Sequence, residues 1–297
     1  MIDIFELLKS VLFGIIEGIT EWLPISSTGH MILLDEFISL DFTKEFKELF
    51  LVVIQLGAIV AVPILFWDKL VPGRKKTKEE NSAIGSLWLK VIVGVLPCAV
   101  LGVLLDDLID GLLLSWDYAF VIVAVALIVY GVLFIIIERH NKDKAPRIDS
   151  VYDLSFRDCL VIGAYQMLAL IPGTSRSGST ILGGMLTGVS RTAASEFSFF
   201  MAIPVMLGAS GLKVLKFGYE YLTADDPTKY IPEGSLLPYL VYLLVGMLVG
   251  FLVSVLVIRF LMSFVKRHSF AAFGIYRIAL GALVILYFVL RLSGVFA

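Results

Sequence analysis

Two short polar segments, residues 17–30 and 172–180, interrupt an otherwise apolar chain, one in each half. The first holds two carboxylates, four hydroxyls and a histidine, and the second holds one arginine among glycines and hydroxyls. Carboxylates bind cations or protons, a guanidinium binds phosphate oxygens, and a hydroxyl attacks phosphorus once a base removes its proton. Ionisable side chains are costly in apolar surroundings, so their grouping indicates function. Together these residue types predict chemistry on a phosphate group.

Glu17 and Glu21 are the predicted cation ligands. They lie four positions apart, so a helix places both carboxylates on one face, where the like charges repel each other. A divalent cation, Mg²⁺ or Ca²⁺, would relieve this repulsion, and paired carboxylates with phosphate oxygens are a common arrangement for such ions. The alternative is a pair of acids at the water interface of a short helix. Apolar neighbours such as Ile16 and Trp22 favour the first interpretation.

The hydroxyls of Ser26, Ser27 and Thr28 have two compatible interpretations. They cap the start of a helix, whose free N–H groups would also bind an anion, or one of them attacks phosphorus. We predict that Ser27 is the nucleophile and that Ser26 and Thr28 contact the substrate. His30 or Glu21 would accept the Ser27 proton as the general base. Water is the alternative nucleophile, and Ser27 would then only donate a hydrogen bond.

The second polar segment has the composition of a phosphate-binding loop, with glycines for close backbone approach, several donors, and Arg176. It matches neither the order of a P-loop nor that of a serine-hydrolase nucleophile elbow. Small residues also pack membrane helices together, but packing gives no reason for a guanidinium. We predict that Arg176 clamps the phosphate and takes part in catalysis. The other predicted substrate-binding residues are Gly173, Thr174, Ser175, Ser177, Thr180, Gln55 and Gln166.

The composition predicts an integral membrane protein. Of the 297 residues, 59% are hydrophobic and only 17% are charged, and the formal net charge of −2 gives no basis for binding nucleic acid. A membrane-spanning helix needs about 20 apolar residues. Six such spans are predicted, at about 46–66, 87–105, 118–138, 192–215, 237–262 and 271–291.

Two further stretches, about 5–38 and 157–188, are hydrophobic but interrupted by proline among Gly, Ser and Thr residues. Irregular backbone at membrane depth must be covered by protein or line a wet cavity, so each stretch is predicted to be a re-entrant helix–loop–helix hairpin. Each half of the chain then has one hairpin followed by three spans. Because each half has an odd number of spans, the second half begins on the opposite side of the membrane and is inverted relative to the first. We therefore predict one all-α membrane domain over 1–297, built from inverted repeats at about 1–140 and 150–297.

The two prolines give a register for this internal repeat. Pro24 aligns with Pro172, and the same offset places Ser27 opposite Ser175. Inverted repeats with broken helices place a binding site near the middle of the membrane, between the repeats. We therefore expect the two polar segments to meet there.

The loop charges predict the orientation in the membrane. Basic residues concentrate in 67–86, in 139–157 and in the turn before the last span, and these connections alternate with an acidic one, 106–117, and a mixed one, 216–236. The basic set is predicted to be cytoplasmic, and both termini are predicted to face outward. Arg277, a short way into the last span, is expected to snorkel to the cytoplasmic surface, and we assign it no role.

The two polar motifs together resemble those of the bacterial undecaprenyl-diphosphate phosphatases of the bacitracin-resistance type. The resemblance covers EGITEWLPISSTGH at 17–30, PGTSRSGST at 172–180, the length and the order of spans. It implies hydrolysis of undecaprenyl diphosphate to undecaprenyl phosphate and inorganic phosphate, a divalent cation, and the polyprenyl diphosphate lipid and the lipid bilayer as partners. It also implies recycling of the carrier lipid for peptidoglycan synthesis, bacitracin resistance and a location in the bacterial cytoplasmic (inner) membrane. The family's functional residues fall on Glu17, Glu21, Ser27, His30, Ser175, Arg176 and Thr180.

A polyprenyl-phosphate transporter or flippase is the alternative function, because inverted repeats with broken helices are common in transporters. Two acids, a histidine and hydroxyls opposite an arginine exceed what ligand binding alone requires, and they favour hydrolysis. The sequence leaves open whether the protein forms a homodimer.

Overall fold

The chain is helical throughout the part that the computed structural model describes, and no β-strand occurs there. The described residues are 2–113, 116–232 and 234–293, with the backbone alone at 103, 105–113 and 116–119. The α-helices in these ranges are α1 (Ile4–Thr20), α2 (Ser27–Phe37), α3 (Lys44–Leu65), α4 (Trp67–Leu70), α5 (Lys78–Leu113), α6 (Trp116–Asn141), α7 (Phe156–Gln166), α8 (Arg176–Leu186), α9 (Arg191–Thr223), α10 (Leu236–Phe264) and α11 (Ala271–Leu292).

Six of these helices are long and apolar enough to cross a membrane, which confirms the predicted number of spans. They are α3, α5, α6, α9, α10 and α11. The apolar part of α5 ends at Gly102, and that of α6 begins at Phe120. The chain is therefore a multi-pass membrane protein.

The predicted loop 67–86 is largely helical, because polar residues that form helices readily extend α5 beyond its apolar segment. α5 begins at Lys78, directly after a capping box. In this box Thr77 Oγ1 accepts a hydrogen bond from the Glu80 N–H at 3.1 Å, and the Glu80 carboxylate accepts one from the Thr77 N–H at 2.7 Å. Hydropathy alone locates the membrane part of such a helix and misses its polar end.

Helices also extend into two other connections that were predicted from the sequence, so these connections are shorter than expected. α9 continues to Thr223, well into the predicted connection 216–236. The acidic connection 106–117 is also mostly helical, since α5 ends at Leu113 and α6 begins at Trp116. The side chains of its aspartates lie outside the described residues.

Two pairs of short helices coincide with the interrupted stretches 5–38 and 157–188. α1 and α2 are separated by residues 21–26, and α7 and α8 by a 3₁₀ turn and a loop at 167–175. We call these two connecting segments the first break and the second break. α2, α7 and α8 have 11 residues each, about 16 Å of helix, which is too short to cross the apolar core of a membrane.

A serine in the left-handed conformation ends each break and caps the next helix. Ser26 has a φ of 76° and Ser175 has a φ of 74°. Each side chain accepts a hydrogen bond from the N–H three residues further on, Gly29 at 3.2 Å and Gly178 at 3.0 Å. This conformation costs a non-glycine residue about 1–3 kcal/mol and persists only where the surroundings fix it. The breaks are therefore well-defined parts of the fold and not frayed helix ends.

The two caps give a register between the breaks that differs by one residue from the register given by the prolines. Matching the caps places Ser26 opposite Ser175 and Ser27 opposite Arg176. The two registers differ because the prolines lie inside the breaks, whose backbone paths differ. The second break contains a 3₁₀ turn that the first one lacks.

Helices of the two halves of the chain pack against each other. α1 packs against α10, and α7 packs against α5. Both contacts bring glycines together, since a Cβ on Gly14 would lie 2.5 Å from the Gly246 carbonyl oxygen and one on Gly163 would lie 1.9 Å from that of Gly94. α3 contacts α9, and α6 contacts α11.

The connections that are rich in Lys and Arg lie together at one end of the helix bundle, which we call the basic end. Lys69 Nζ pairs with Glu196 at 2.6 Å, and the Tyr152 hydroxyl donates to the Lys69 carbonyl at 3.0 Å. Glu138 accepts a hydrogen bond from the Phe270 N–H at 2.8 Å. The Tyr152–Lys69 contact joins two of the basic connections directly, and the Phe270–Glu138 contact joins the residues that flank the second and the third.

Candidate active site

Glu21 lies at the centre of the candidate active site. It follows the last residue of α1 and is buried. One carboxylate oxygen, Oε2, accepts a hydrogen bond from Ser27 Oγ at 2.7 Å. The other, Oε1, pairs with the guanidinium of Arg176, at 2.9 Å from Nη2 and 3.3 Å from Nε. A single side chain therefore connects the first residue of α2 with the first residue of α8.

Further hydrogen bonds hold the start of α8 against the first break. Ser177 Oγ donates to the Glu21 carbonyl oxygen at 3.0 Å, and it also lies 3.3 Å from the carbonyl oxygen of Leu23. Arg176 Nη1 donates to the carbonyl oxygen of Ser198, in α9, at 2.9 Å. The guanidinium is thus held in place by the protein, and such preorganisation favours the stabilisation of charge that develops in a reaction.

A cavity of about 130 Å³ lies between the two breaks. The starts of α2 and α8 border it, and the first N–H groups of a helix have no partner within that helix. Together with the positive ends of the helix dipoles, they favour the binding of an anion. Seven residues predicted from the sequence line the cavity, namely Glu21, Ser27, Thr28, Gln55, Gly173, Ser175 and Arg176.

The other predicted site residues do not line this cavity. Thr174 Oγ1 donates to the carbonyl oxygen of Ile171 at 2.7 Å, and Thr180 Oγ1 donates to that of Arg176 at 3.0 Å. Their hydrogen bonds support the shape of the second break and the start of α8. The predicted roles of these residues stay predictions, namely a cation ligand for Glu17, a catalytic role for His30, and contact with the substrate for Ser26, Gln166, Thr174, Ser177 and Thr180.

His30 is bound to partners other than Ser27. Its Nδ1 lies 2.7 Å from the carbonyl oxygen of Ser26, and its Nε2 lies 2.7 Å from the hydroxyl of Tyr276. A carbonyl oxygen only accepts, so Nδ1 carries the proton in this arrangement and Nε2 accepts from Tyr276. The imidazole therefore fastens the first turn of α2 to α11.

Glu17 and Gln166 carry buried polar atoms that have no hydrogen-bond partner among the described residues. These atoms are Oε1 of Glu17 and both side-chain amide atoms of Gln166. Both side chains are almost fully buried, and Glu17 lies one helical turn before Glu21. Unpartnered buried polar atoms are costly and uncommon. They are typical of positions at which an ion or a water molecule binds.

Arg277 is a residue that the sequence-based prediction missed. The expectation that it snorkels to the surface is wrong, because its side chain is fully buried. Its guanidinium donates to the carbonyl oxygen of Pro24 in the first break at 3.0 Å, and to those of Gly173 and Thr174 in the second at 2.8 and 3.1 Å. It also lies 5.2 Å from the centre of the Tyr130 ring. An arginine inside an apolar span was the one signal that could have identified it.

Comparisons with known proteins show which family the chain belongs to. The chain is 51% identical over 288 residues to the undecaprenyl-diphosphatase of Enterococcus faecalis, which covers 96% of this chain and 98% of that protein. It is 52% identical over 287 residues to the undecaprenyl-diphosphatase of Acetivibrio thermocellus, which covers 95% and 98% of the two chains. The family model described as "Bacitracin resistance protein BacA" matches residues 10–283, a range that includes both breaks. The chain therefore belongs to the BacA family of bacitracin resistance proteins.

Proposed function

We propose that this protein hydrolyses undecaprenyl diphosphate to undecaprenyl phosphate and inorganic phosphate, the activity that its relatives' names state. The observation that carries the proposal is the contact of Glu21 with both Ser27 and Arg176 at the wall of one cavity. A nucleophile, a base and a phosphate-binding guanidinium group thus belong to one hydrogen-bond network. In the cell this reaction would recycle the lipid carrier of peptidoglycan synthesis and give resistance to bacitracin, which sequesters the diphosphate lipid.

The chemistry begins with an attack of Ser27 Oγ on the terminal phosphorus of the diphosphate. Glu21 Oε2, 2.7 Å from that oxygen, accepts the hydroxyl proton. The bond from phosphorus to the bridging oxygen breaks, and undecaprenyl phosphate leaves. Water then hydrolyses the phosphoserine and releases inorganic phosphate. The planar fork of Arg176 and the N–H groups at the starts of α2 and α8 stabilise the phosphate charge in both steps.

The geometry favours Glu21 over His30 as the base. Glu21 already holds the Ser27 hydroxyl, whereas both ring nitrogens of His30 have other partners. His30 supports the reaction indirectly, because it keeps the first turn of α2 in place.

A divalent cation, Mg²⁺ or Ca²⁺, would be held by Glu17 and Glu21. The buried Oε1 of Glu17, which lacks a partner in the described part of the chain, fits such a ligand. The described residues contain no cluster of three or more His, Cys, Asp and Glu side chains arranged for a metal. Mg²⁺ usually combines one or two carboxylates with substrate phosphates, so the diphosphate would complete this site. A cation bound at this site would neutralise part of the negative charge of the diphosphate.

Purified protein in detergent is expected to release phosphate from undecaprenyl diphosphate, and Ser27→Ala is expected to lower this rate at least about 100-fold. Detergent micelles provide no second compartment, so a transporter or flippase without hydrolytic activity would release none. Lipid binding should survive in Ser27→Ala because the substitution leaves the clamp at Arg176 intact. Turnover and binding are therefore measured separately.

The stereochemistry at phosphorus distinguishes Ser27 from water as the nucleophile. A substrate with a chiral, isotopically labelled terminal thiophosphate is hydrolysed in labelled water, and the configuration of the released thiophosphate is determined. Formation and hydrolysis of a phosphoserine give two inversions and therefore net retention. An inverted product would rule out Ser27 as the nucleophile, whatever the rate of the alanine variant.

We also infer that the two halves are inverted repeats and that α1–α2 and α7–α8 are re-entrant hairpins. The equivalent caps at Ser26 and Ser175 and the exchanged contacts, α1 with α10 and α7 with α5, support this inference. The shortness of α2, α7 and α8 supports the hairpins, since none of the three can cross a membrane alone. Such an arrangement places the cavity near the middle of the membrane. A homodimer stays a prediction.

With the basic end in the cytoplasm, single cysteines at Lys75, Lys144 and Arg267 are expected to be protected from an impermeant thiol reagent in intact cells. Cysteines at Asp225 and Lys229, near the opposite end of α9, are expected to react. All five positions are exposed, and the two native cysteines are first replaced by alanine. Labelling at Lys144 but not at Lys75 would contradict the inverted repeat, because two spans separate these positions and must return the chain to the same side.

A further inference from the structure

A second cavity, of about 600 Å³, opens at the basic end of the helix bundle. It lies between the C-terminal ends of α3 and α10 and the first turns of α9, and its apolar wall includes Phe66, Ile258 and Met262. On α3, Gln55 borders the active site and Leu65 borders this second cavity, about 15 Å further along the helix. The two cavities are therefore separate sites.

Three basic side chains, Arg259, Lys266 and Arg267, line the second cavity and are exposed. None of them forms a side-chain hydrogen bond or an ion pair with any residue that the structure describes. Arg259 is notable because it lies inside the last two turns of α10, an otherwise apolar helix that ends at Phe264. A charge in such a helix is costly unless it reaches water or a partner.

The acid that lines this cavity does not neutralise the three cations. Glu196 is already bound by Lys69, whose Nζ lies 2.7 and 2.6 Å from its two carboxylate oxygens. The cavity therefore has an excess of positive charge on one side and an apolar wall on the other. These are the properties that an amphipathic anion requires of its binding site.

We propose that the second cavity binds the phosphate headgroup of an anionic phospholipid from the leaflet at the basic end. The guanidinium groups of Arg259 and Arg267 match the geometry of phosphate oxygens, and Lys266 adds a third charge. The apolar wall contacts the first part of the acyl chains. Basic pockets between membrane helices suit anionic headgroups in this way. The proposal does not depend on hydrolysis in the other cavity.

The test measures the binding of phosphatidylglycerol and of phosphatidylcholine with the same acyl chains to the purified full chain, by native mass spectrometry in neutral detergent. The wild type is expected to prefer phosphatidylglycerol. The cavity variant Arg259→Gln/Lys266→Gln/Arg267→Gln is expected to lose this preference, with a dissociation constant raised about 100-fold, because each basic side chain contributes about fivefold. The control variant Arg74→Gln/Lys75→Gln/Lys78→Gln loses the same charge from exposed positions outside the cavity and is expected to keep the preference.

Phosphate release by both variants should match the wild type, which shows that they fold. An unchanged affinity for phosphatidylglycerol in the cavity variant would overturn the proposal. So would an equal loss in the control variant, because the attraction would then come from diffuse surface charge. Displacement of the lipid by millimolar inorganic phosphate would identify a free-phosphate site instead. Much tighter binding of polyprenyl phosphate than of phosphatidylglycerol would identify a product site instead.

Discussion

Glu21→Gln is expected to lower the hydrolysis of undecaprenyl diphosphate at least about 100-fold, since a general base contributes about 10²–10⁴-fold to such reactions. Glutamine has the same shape, but its amide cannot accept the Ser27 proton, and it carries no charge to pair with Arg176. The measurement is phosphate release at saturating substrate in detergent. The same samples are then treated with a chelator, and the dependence of phosphate release on added Mg²⁺ or Ca²⁺ tests whether Glu21 binds the cation.

Glu138→Gln is a matched control for this substitution. Glu138 is also buried and bound to an arginine, Arg191, whose Nε lies 2.9 Å from its carboxylate, but it does not line the active-site cavity. Each substitution removes a buried carboxylate from an ion pair and leaves an arginine without its partner, so each is expected to lower the melting temperature. Only Glu21→Gln is expected to stop turnover in the folded protein. A Glu21→Gln variant with more than about a tenth of wild-type turnover would exclude Glu21 as the base.

The features that the sequence predicted well are those that are encoded locally. Each of the six spans follows from a continuous apolar run and needs no knowledge of its neighbours. Ser27 lies a short loop after Glu21, so their proximity follows from any compact break between α1 and α2. The prediction that the two polar segments meet was based on one further hypothesis, the internal repeat. Inverted repeats with broken helices are expected to place their two breaks next to each other. The structure brings Glu21 and Arg176 into contact, so the two polar segments do meet.

The features that were missed depend on backbone geometry. The two breaks end at the left-handed serines Ser26 and Ser175, and φ angles of this kind leave no clear mark in a sequence without glycine at those positions. The contacts of Arg277 could not be predicted from the sequence for a related reason. Its partners are backbone carbonyl oxygens, which every residue provides, so no complementary side chain in the sequence points to the contact.

Arg277→Lys is expected to lower kcat about 100-fold with a smaller change in KM. The guanidinium spans both breaks through three carbonyl oxygens, those of Pro24, Gly173 and Thr174. An ammonium group keeps the charge, but it is a single point and cannot reach both breaks at once. The breaks would then lose their fixed separation, and a displacement of about 1 Å in a reacting pair costs about 100-fold. Lipid binding depends mainly on other contacts, so kcat should carry most of the effect.

Arg291→Lys, on the same helix, provides the comparison. Arg291 is exposed and pairs with Glu36 at the other end of α11, so its replacement changes the same residue type without touching either break. Its kcat should stay close to that of the wild type. Circular dichroism and the melting temperature show whether Arg277→Lys keeps its helices, and the kinetic comparison is made on folded protein. If kcat of Arg277→Lys stays within threefold of that of Arg291→Lys, a fixed distance between the breaks is not needed for catalysis. A fall in kcat with intact helices would instead mean that Arg277, a fully buried cation that does not line the active-site cavity, holds Ser27 and Arg176 in position for the reaction.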